Sequence, residues 1–196
     1  MGAYCPAPVV TDAIHEKVIE RIVGPMFTYL SSMEIPYRGV LYVGLMIDQY
    51  GDPYVVEFNV RFGDPECQVT LPLIDTDVGE LLFASSTDAL SKTDVMFKRA
   101  HALTIVLASE GYPKTAIKGR PIVGLDRSLD SATTWVSHAG TSRNESGDFI
   151  SSGGRVLSVT SVADSLQKAR DSSYQRLAQI TLDGSHHRSD IGHRAL

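Results

Sequence analysis

The sequence has 196 residues, 43% of them hydrophobic and 21% charged, with a formal net charge of -5. That length suits one large domain or two small ones, and the composition supports a packed core and argues against wholesale disorder. An acidic pI near 5.6 without a long basic block argues against nucleic acid as a partner, and two cysteines without CxxC spacing, Cys5 and Cys67, argue against a disulfide scaffold or structural zinc.

In chain order, Met1 to Pro6 lacks the basic and apolar regions of a signal peptide, and Pro6 stands where a myristoylation signal needs Ser or Thr. A cytoplasmic protein is the expectation. Met1 to Val10 reads as extended, Thr11 as an N-cap, and Ile14, Val18 and Ile22 as one apolar helix face. Gly24-Pro25 predicts a kink or a break before a second helical piece through Met33, and Pro36 marks a turn. Two strands follow, Gly39 to Asp48 and Pro53 to Phe62, joined by Gln49-Tyr50-Gly51-Asp52 and therefore antiparallel. The run Val40 to Ile47 is far too short to cross a bilayer and suits a buried strand. Val69 to Pro72 reads as irregular, Thr76 as the cap of a helix to about Ala84, and Ser85 to Thr93 as a connector.

The pattern changes near residue 98, which divides the chain into domains 1–97 and 98–196. Leu103 to Ala108, Gly119 to Leu125, Thr134 to His138, Phe149-Ile150 and Arg155 to Thr160 are short strands between Gly- and Ser-rich turns, as in a small sheet or barrel. Ser161 and Asp164 make a capping-box pattern, and Leu166, Ala169, Leu177 and Ile180 place a last helix against that sheet. The fold class is α+β: an antiparallel sheet with helices, then a small β-rich domain. His186, His187 and His193 fit no metal-ligand spacing and read as a polar surface tail.

One strand carries the chemistry. Val56, Phe58, Val60 and Phe62 alternate with Glu57, Asn59 and Arg61, so a carboxylate, an amide and a guanidinium share one face. Residues two apart on a strand lie about 6.6 Å apart along its axis, so Glu57 and Asn59 can lean toward one hard cation. Arg61 can pair with a phosphate or carboxylate. A polar strand face is more often just solvated. The partner strand, however, has no polar face, so the pair reads as covered on both sides, where a polar row needs partners. The strand also runs into Gly63-Asp64-Pro65-Glu66, a turn with two more carboxylates.

The segment Glu57 to Glu66 closely resembles the magnesium-binding segment of the phosphoribosylamine–glycine ligase (glycinamide ribonucleotide synthetase) family of ATP-grasp enzymes. Met1 to Pro8, Gly39 to Ile47, Gly111-Tyr112-Pro113, His138-Ala139-Gly140-Thr141, Gly153 to Leu157 and Asp190 to Ala195 resemble further family landmarks in the same order. Cys5 stands where Ser is common. The resemblance implies the C-terminal half of an ATP-grasp domain followed by the family's C-terminal domain. It implies Glu57 and Asn59 as ligands of Mg2+ or Mn2+, Arg61 near the transferred phosphate of ATP, and Asp64, Pro65 and Glu66 at the substrate site. Arg61 and Asp64 would be the catalytic side chains, with Asp64 and Glu66 as candidates for holding the ammonium of glycine.

The family reaction phosphorylates the glycine carboxylate with ATP. The amine of 5-phosphoribosylamine then displaces the phosphate, giving glycinamide ribonucleotide. His138, Arg155 and Arg194 lie in Gly-containing motifs, with ribose-phosphate contact as the functional reading and structural roles favoured for His138 and Arg194. The resemblance begins in the middle of the family's sequence. No Gly-rich phosphate loop precedes a helix, and no lysine stands at an obvious phosphate position. The chain therefore reads as the metal-binding portion of the ligase, inactive alone, with a missing N-terminal half as partner. The alternatives are a non-catalytic folded module or half of a split enzyme.

Overall fold

The computed structural model describes residues 1–196. In chain order the elements are β1 (Gly2–Cys5), α1 (Asp12–Val18), a π-helical stretch (Ile19–Val23), α2 (Gly24–Ser31), β2 (Tyr42–Ile47), β3 (Pro53–Asn59), α3 (Cys67–Thr70) and α4 (Val78–Ser86). They continue with β4 (His101–Ala108), β5 (Ile122–Val123), β6 (Thr134–His138), β7 (Thr141–Arg143), β8 (Phe149–Ser151), β9 (Arg155–Ala163), α5 (Leu166–Leu177) and β10 (Thr181–Leu182). No helix is long and apolar enough to cross a membrane. The chain forms two compact units.

The first unit comprises Met1–Pro6, Pro65–Leu73 and Lys98–Leu196. Its main sheet runs β1-β4-β9-β6, with every neighbouring pair antiparallel. The alternation of β4 sorts its two faces. Leu103, Ile105 and Leu107 pack with Leu157, Val159, Leu166, Ala169 and Leu177 into the main core, so α5 covers that face. Ala102 on the other face packs with Val69 and Leu73. Thr104 and Thr160 are cross-strand neighbours there, fully buried, and their hydroxyls bond each other at 2.8 Å. Each buried hydroxyl therefore has a partner, as burial demands.

Several local expectations are revised. Ser161 lies inside β9, and the cap of α5 is Ser165, whose hydroxyl accepts from Lys168 N–H at 3.3 Å. Val69 to Pro72 is helical rather than irregular, forming α3 and a following 3-10 turn at Leu71–Leu73. His186, His187 and His193 are exposed, as expected of a polar surface tail, and the segment is tied down along its length. His186 exchanges two backbone bonds with Ala108 at 2.9 Å, and Arg170 Nε donates to the Ile191 carbonyl at 3.2 Å.

The second unit comprises Ala7–Asp64 and Ile74–Phe97. Thr11 caps α1, accepting from Ile14 N–H at 3.4 Å. The helix neither breaks nor stops at Pro25. Proline has no N–H to give the carbonyl four residues back, and the chain absorbs this by widening to a π turn in which Gly24 N–H reaches the Ile19 carbonyl. The cap of α4 is Asp77, which accepts from Glu80 N–H at 3.0 Å, whereas Thr76 bonds the Asp94 and Met96 backbone. Strands β2 and β3 form the expected antiparallel hairpin, with Gly51 in its turn at φ +75. Lys17 and Arg21 both reach the Asp52 carboxylate at 2.9 Å and fix the helix to that turn.

The hairpin is not covered on both sides. It is a two-stranded sheet, and Val56 and Val60 are 65% and 72% exposed. Two strands have too few neighbours to enclose either face. Nor is the alternation of β3 unbroken. Gly44 pairs with Glu57 but Leu45 pairs with Val55, so Val56 is the extra residue of a β-bulge.

Candidate functional site

The bulge decides what shares a face. On β2, Tyr42, Gly44 and Met46 point one way, and their partners on β3 are Asn59, Glu57 and Tyr54. The bulge thus brings Tyr54 onto the face of Glu57 and Asn59, a phase change the sequence pattern hides. Glu57 is exposed and Asn59 half-buried. The Asn59 amide nitrogen donates to Glu57 Oε1 at 2.9 Å. That bond uses the amide nitrogen and Oε1, so the amide oxygen and the second carboxylate oxygen are the remaining oxygen donors of the pair.

No group of three or more His, Cys, Asp or Glu side chains is arranged to hold a metal. One carboxylate and one amide are the donors of a cation that accepts one or two protein oxygens and completes its shell with water and phosphate, which is the habit of magnesium and not of zinc.

Arg61 stands beyond the end of β3, exposed, and its Nη1 donates to the neighbouring Phe62 carbonyl at 2.8 Å. Asp64, exposed, is the last residue of this stretch of the second unit. Pro65, buried, and Glu66, half-buried, begin the next stretch of the first unit. The Glu66 carbonyl accepts from Val69 and Thr70 N–H at 3.1 Å, so this residue also starts α3.

The landmarks after residue 100 lie in the first unit. A Cβ on Gly140 would lie 2.6 Å from Gly153 Cα and 2.7 Å from the Arg155 carbonyl oxygen. The His138 and Arg155 motifs are thus two backbones crossing where only glycine fits. His138 shares a hydrogen bond with Thr141 Oγ1 at 2.9 Å and stacks on Phe149 at 4.7 Å. Burial, aided by Arg127 and Arg143, pushes its pKa below the ordinary histidine value. Arg143 lies over the same Phe149 ring at 4.1 Å. Arg194 is exposed in a terminal 3-10 turn. A cavity of about 540 Å³ beside this region is lined by Val123, Asp126, Arg143, Asp148 and Phe149, side chains that no sequence motif singled out.

Two family models match the chain: the ATP-grasp (A) domain of phosphoribosylglycinamide synthetase over residues 1–67, and the C domain of the same enzyme over residues 102–194. Phosphoribosylamine–glycine ligases from Vibrio parahaemolyticus and Mycobacterium leprae are 41% and 44% identical over all 196 residues, which span 45% of each of those proteins. The crystal structure of the phosphoribosylamine–glycine ligase from Thermotoga maritima superposes with a TM-score of 0.82 at 28% identity, over 97% of this chain and 46% of that one. The biotin carboxylase domain of Hydrogenobacter thermophilus 2-oxoglutarate carboxylase shares the fold, with a TM-score of 0.61 at 15% identity. The chain thus spans about half the length of the curated relatives it matches, and it belongs to the phosphoribosylglycinamide synthetase family.

Proposed function

We propose that this chain supplies the metal-binding wall of a ligase that joins glycine to 5-phosphoribosylamine at the expense of ATP. The observation that carries the reading is the Glu57–Asn59 pair, two oxygen donors held by one 2.9 Å hydrogen bond on an open strand face. Glu57 and Asn59 would hold Mg2+ or Mn2+. Bound there, the ion would neutralise charge on the ATP phosphates during transfer.

Arg61 has further N–H groups beyond the one used on Phe62, and their role is to bind a phosphate oxygen next to the metal pair. Asp64 is the candidate acceptor for the ammonium of glycine, with Glu66 one residue past Pro65. In this reading Arg61 and Asp64 are the catalytic side chains, since they touch the reacting groups. A cytoplasmic setting belongs to the same reading and is supported by two cysteines, Cys5 and Cys67, that are not joined in a disulfide.

The partner is the remaining length of the ligase, as found in the relatives, and the second unit's surface supports that. Its exposed apolar side chains include Phe27, Val56, Phe58, Val60, Phe83 and Phe97. Surface of this kind marks an interface.

The test mixes the chain with a polypeptide carrying the remaining length of the Vibrio parahaemolyticus ligase and follows ADP release in the presence of ATP, glycine and phosphoribosylamine. Turnover is expected only in the mixture and is lost with Glu57→Gln. A stable complex without turnover would sink the catalytic reading and favour a folded module that binds without catalysing.

A further inference from the structure

We propose that Gly44 is a positioning residue for Glu57: its bare backbone, directly across the hairpin and beside the bulge, sets where the Glu57 carboxylate stands. The inference rests on the reading of Glu57 as a metal ligand.

Glycine inside a strand is unfavourable, because it adds backbone entropy to the unfolded chain and contributes no side chain to packing. Gly44 sits in the middle of β2 between Val43 and Leu45, and its backbone is not in the left-handed region that favours glycine. The chain conformation at 44 therefore suits any residue, and the reason for glycine is space. A Cβ at 44 would lie 3.1 Å from Glu57 Cγ and 3.5 Å from the Glu57 carbonyl oxygen. The stem of Glu57 thus lies across the strand, over the position a neighbouring side chain would fill.

Two further features bear on the same side chain. Asn59 holds Oε1 from two residues along. The bulge at Val56 lies immediately before Glu57, and bulges characteristically re-aim the side chains beside them. Room beneath the stem, a hydrogen bond at its tip and a re-aimed root together over-determine one placement of the carboxylate. With alanine at 44 the Glu57 stem must give by a few tenths of an ångström, and that shift is passed to the carboxylate at its tip.

Strand stability and metal placement predict opposite outcomes here. Alanine or serine in place of a strand glycine favours the strand, whereas loss of the carboxylate's support weakens the metal. The experiment uses the full chain and Mn2+ alone, followed by paramagnetic broadening of backbone amide signals, which reads weak binding and its location.

In the parent chain, broadening is expected to centre on Gly44, Glu57 and Asn59. Gly44→Ala and Gly44→Ser are expected to raise the Mn2+ concentration for half-broadening about tenfold, the low end of losses on removing groups that support a ligand. The Val43 and Met46 signals are expected to keep their strand positions. Glu57→Gln separates the two levels of argument. If it titrates like the parent chain, the reading of Glu57 as a ligand fails. If it weakens broadening while both Gly44 variants titrate like the parent, the positioning proposal alone fails. Loss of the hairpin signals in both variants would also overturn it, since glycine would then serve the strand itself.

Discussion

Arg176 is a charged side chain sealed into the core, 3% exposed on α5. Its Nε donates to Asp130 Oδ1 and its Nη1 to the Gly124 carbonyl, both at 3.0 Å, while Nη2 has no partner. A buried ion pair is weak evidence of net stabilisation, because desolvation offsets the attraction. Removing one partner is another matter, since it strands the other charge in the interior. Asp130→Ala is therefore expected to lower unfolding free energy by about 3–5 kcal/mol. The readout is urea denaturation followed by fluorescence of Trp135, the single tryptophan, which lies in β6 of the first unit. Adding Arg176→Met is expected to restore much of the loss, and a single-variant shift under about 1 kcal/mol would refute the argument. Nothing in the sequence marks Arg176, because a lone arginine in a polar helix reads as solvated. Glu57 and Asn59 were legible for the opposite reason: strand periodicity puts them side by side before any tertiary contact is known. Tyr54 joining their face was not, because a bulge is a relation between two strands, and alternation within one strand does not reveal where the partner skips a residue.

At the scale of elements, regular segments were legible and their ends less so. β4 is a nearly continuous apolar run, and its burial on both faces follows from that, whereas β9 alternates apolar residues with Ser158 and Thr160, which are buried all the same. Cap positions moved by one to four residues, to Asp77 and Ser165, because Thr76 and Ser161 are equally able acceptors locally and only the tertiary course of the chain chooses between them. The glycine motifs at 140 and 153 carried a functional reading in sequence beside a structural one, which was favoured for His138, and the structure gives each glycine a packing reason. Gly140 and Gly153 cross with no room for a side chain, and the atoms in the way are backbone atoms that cannot rotate aside. Gly140→Ala is therefore expected to cost about 1–3 kcal/mol, as overpacking does, and to shift the amide resonances of His138 and Gly153 together. Unfolding by Trp135 fluorescence gives the first quantity and an amide correlation spectrum the second. A variant with parent stability and unmoved signals at 153 would show that the crossing tolerates a side chain.

For the whole molecule, the two units differ in how much core each owns. Ala84 alone among the buried apolar residues belongs to the second unit; the rest, from Val69 to Leu182, belong to the first. Most exposed large apolar side chains show the reverse bias, with Met1, Ile117, Val123, Leu129 and Leu196 as the exceptions in the first unit. Composition could not announce this, because apolar strand residues such as Val56 and Phe58 look the same whether or not anything covers them. The pairing of Gly2–Cys5 with β4 was equally hidden, since partner choice across about a hundred residues leaves no local trace. Buried apolar area is the main favourable term in folding, so the second unit has little of its own to oppose local opening. Hydrogen exchange of the full chain is therefore expected to be strongly uneven. The amides of β4 and β9 are expected to exchange only on global opening, and those of β2, β3 and α4 orders of magnitude faster. Adding the remaining length of a relative is expected to slow the second group selectively, because most of the uncovered apolar surface lies in its unit. Equal protection in both units of the isolated chain would contradict the assignment of the core. Slowing confined to the first unit on mixing would show that the apolar face of the second unit is not the surface at which the remaining half docks.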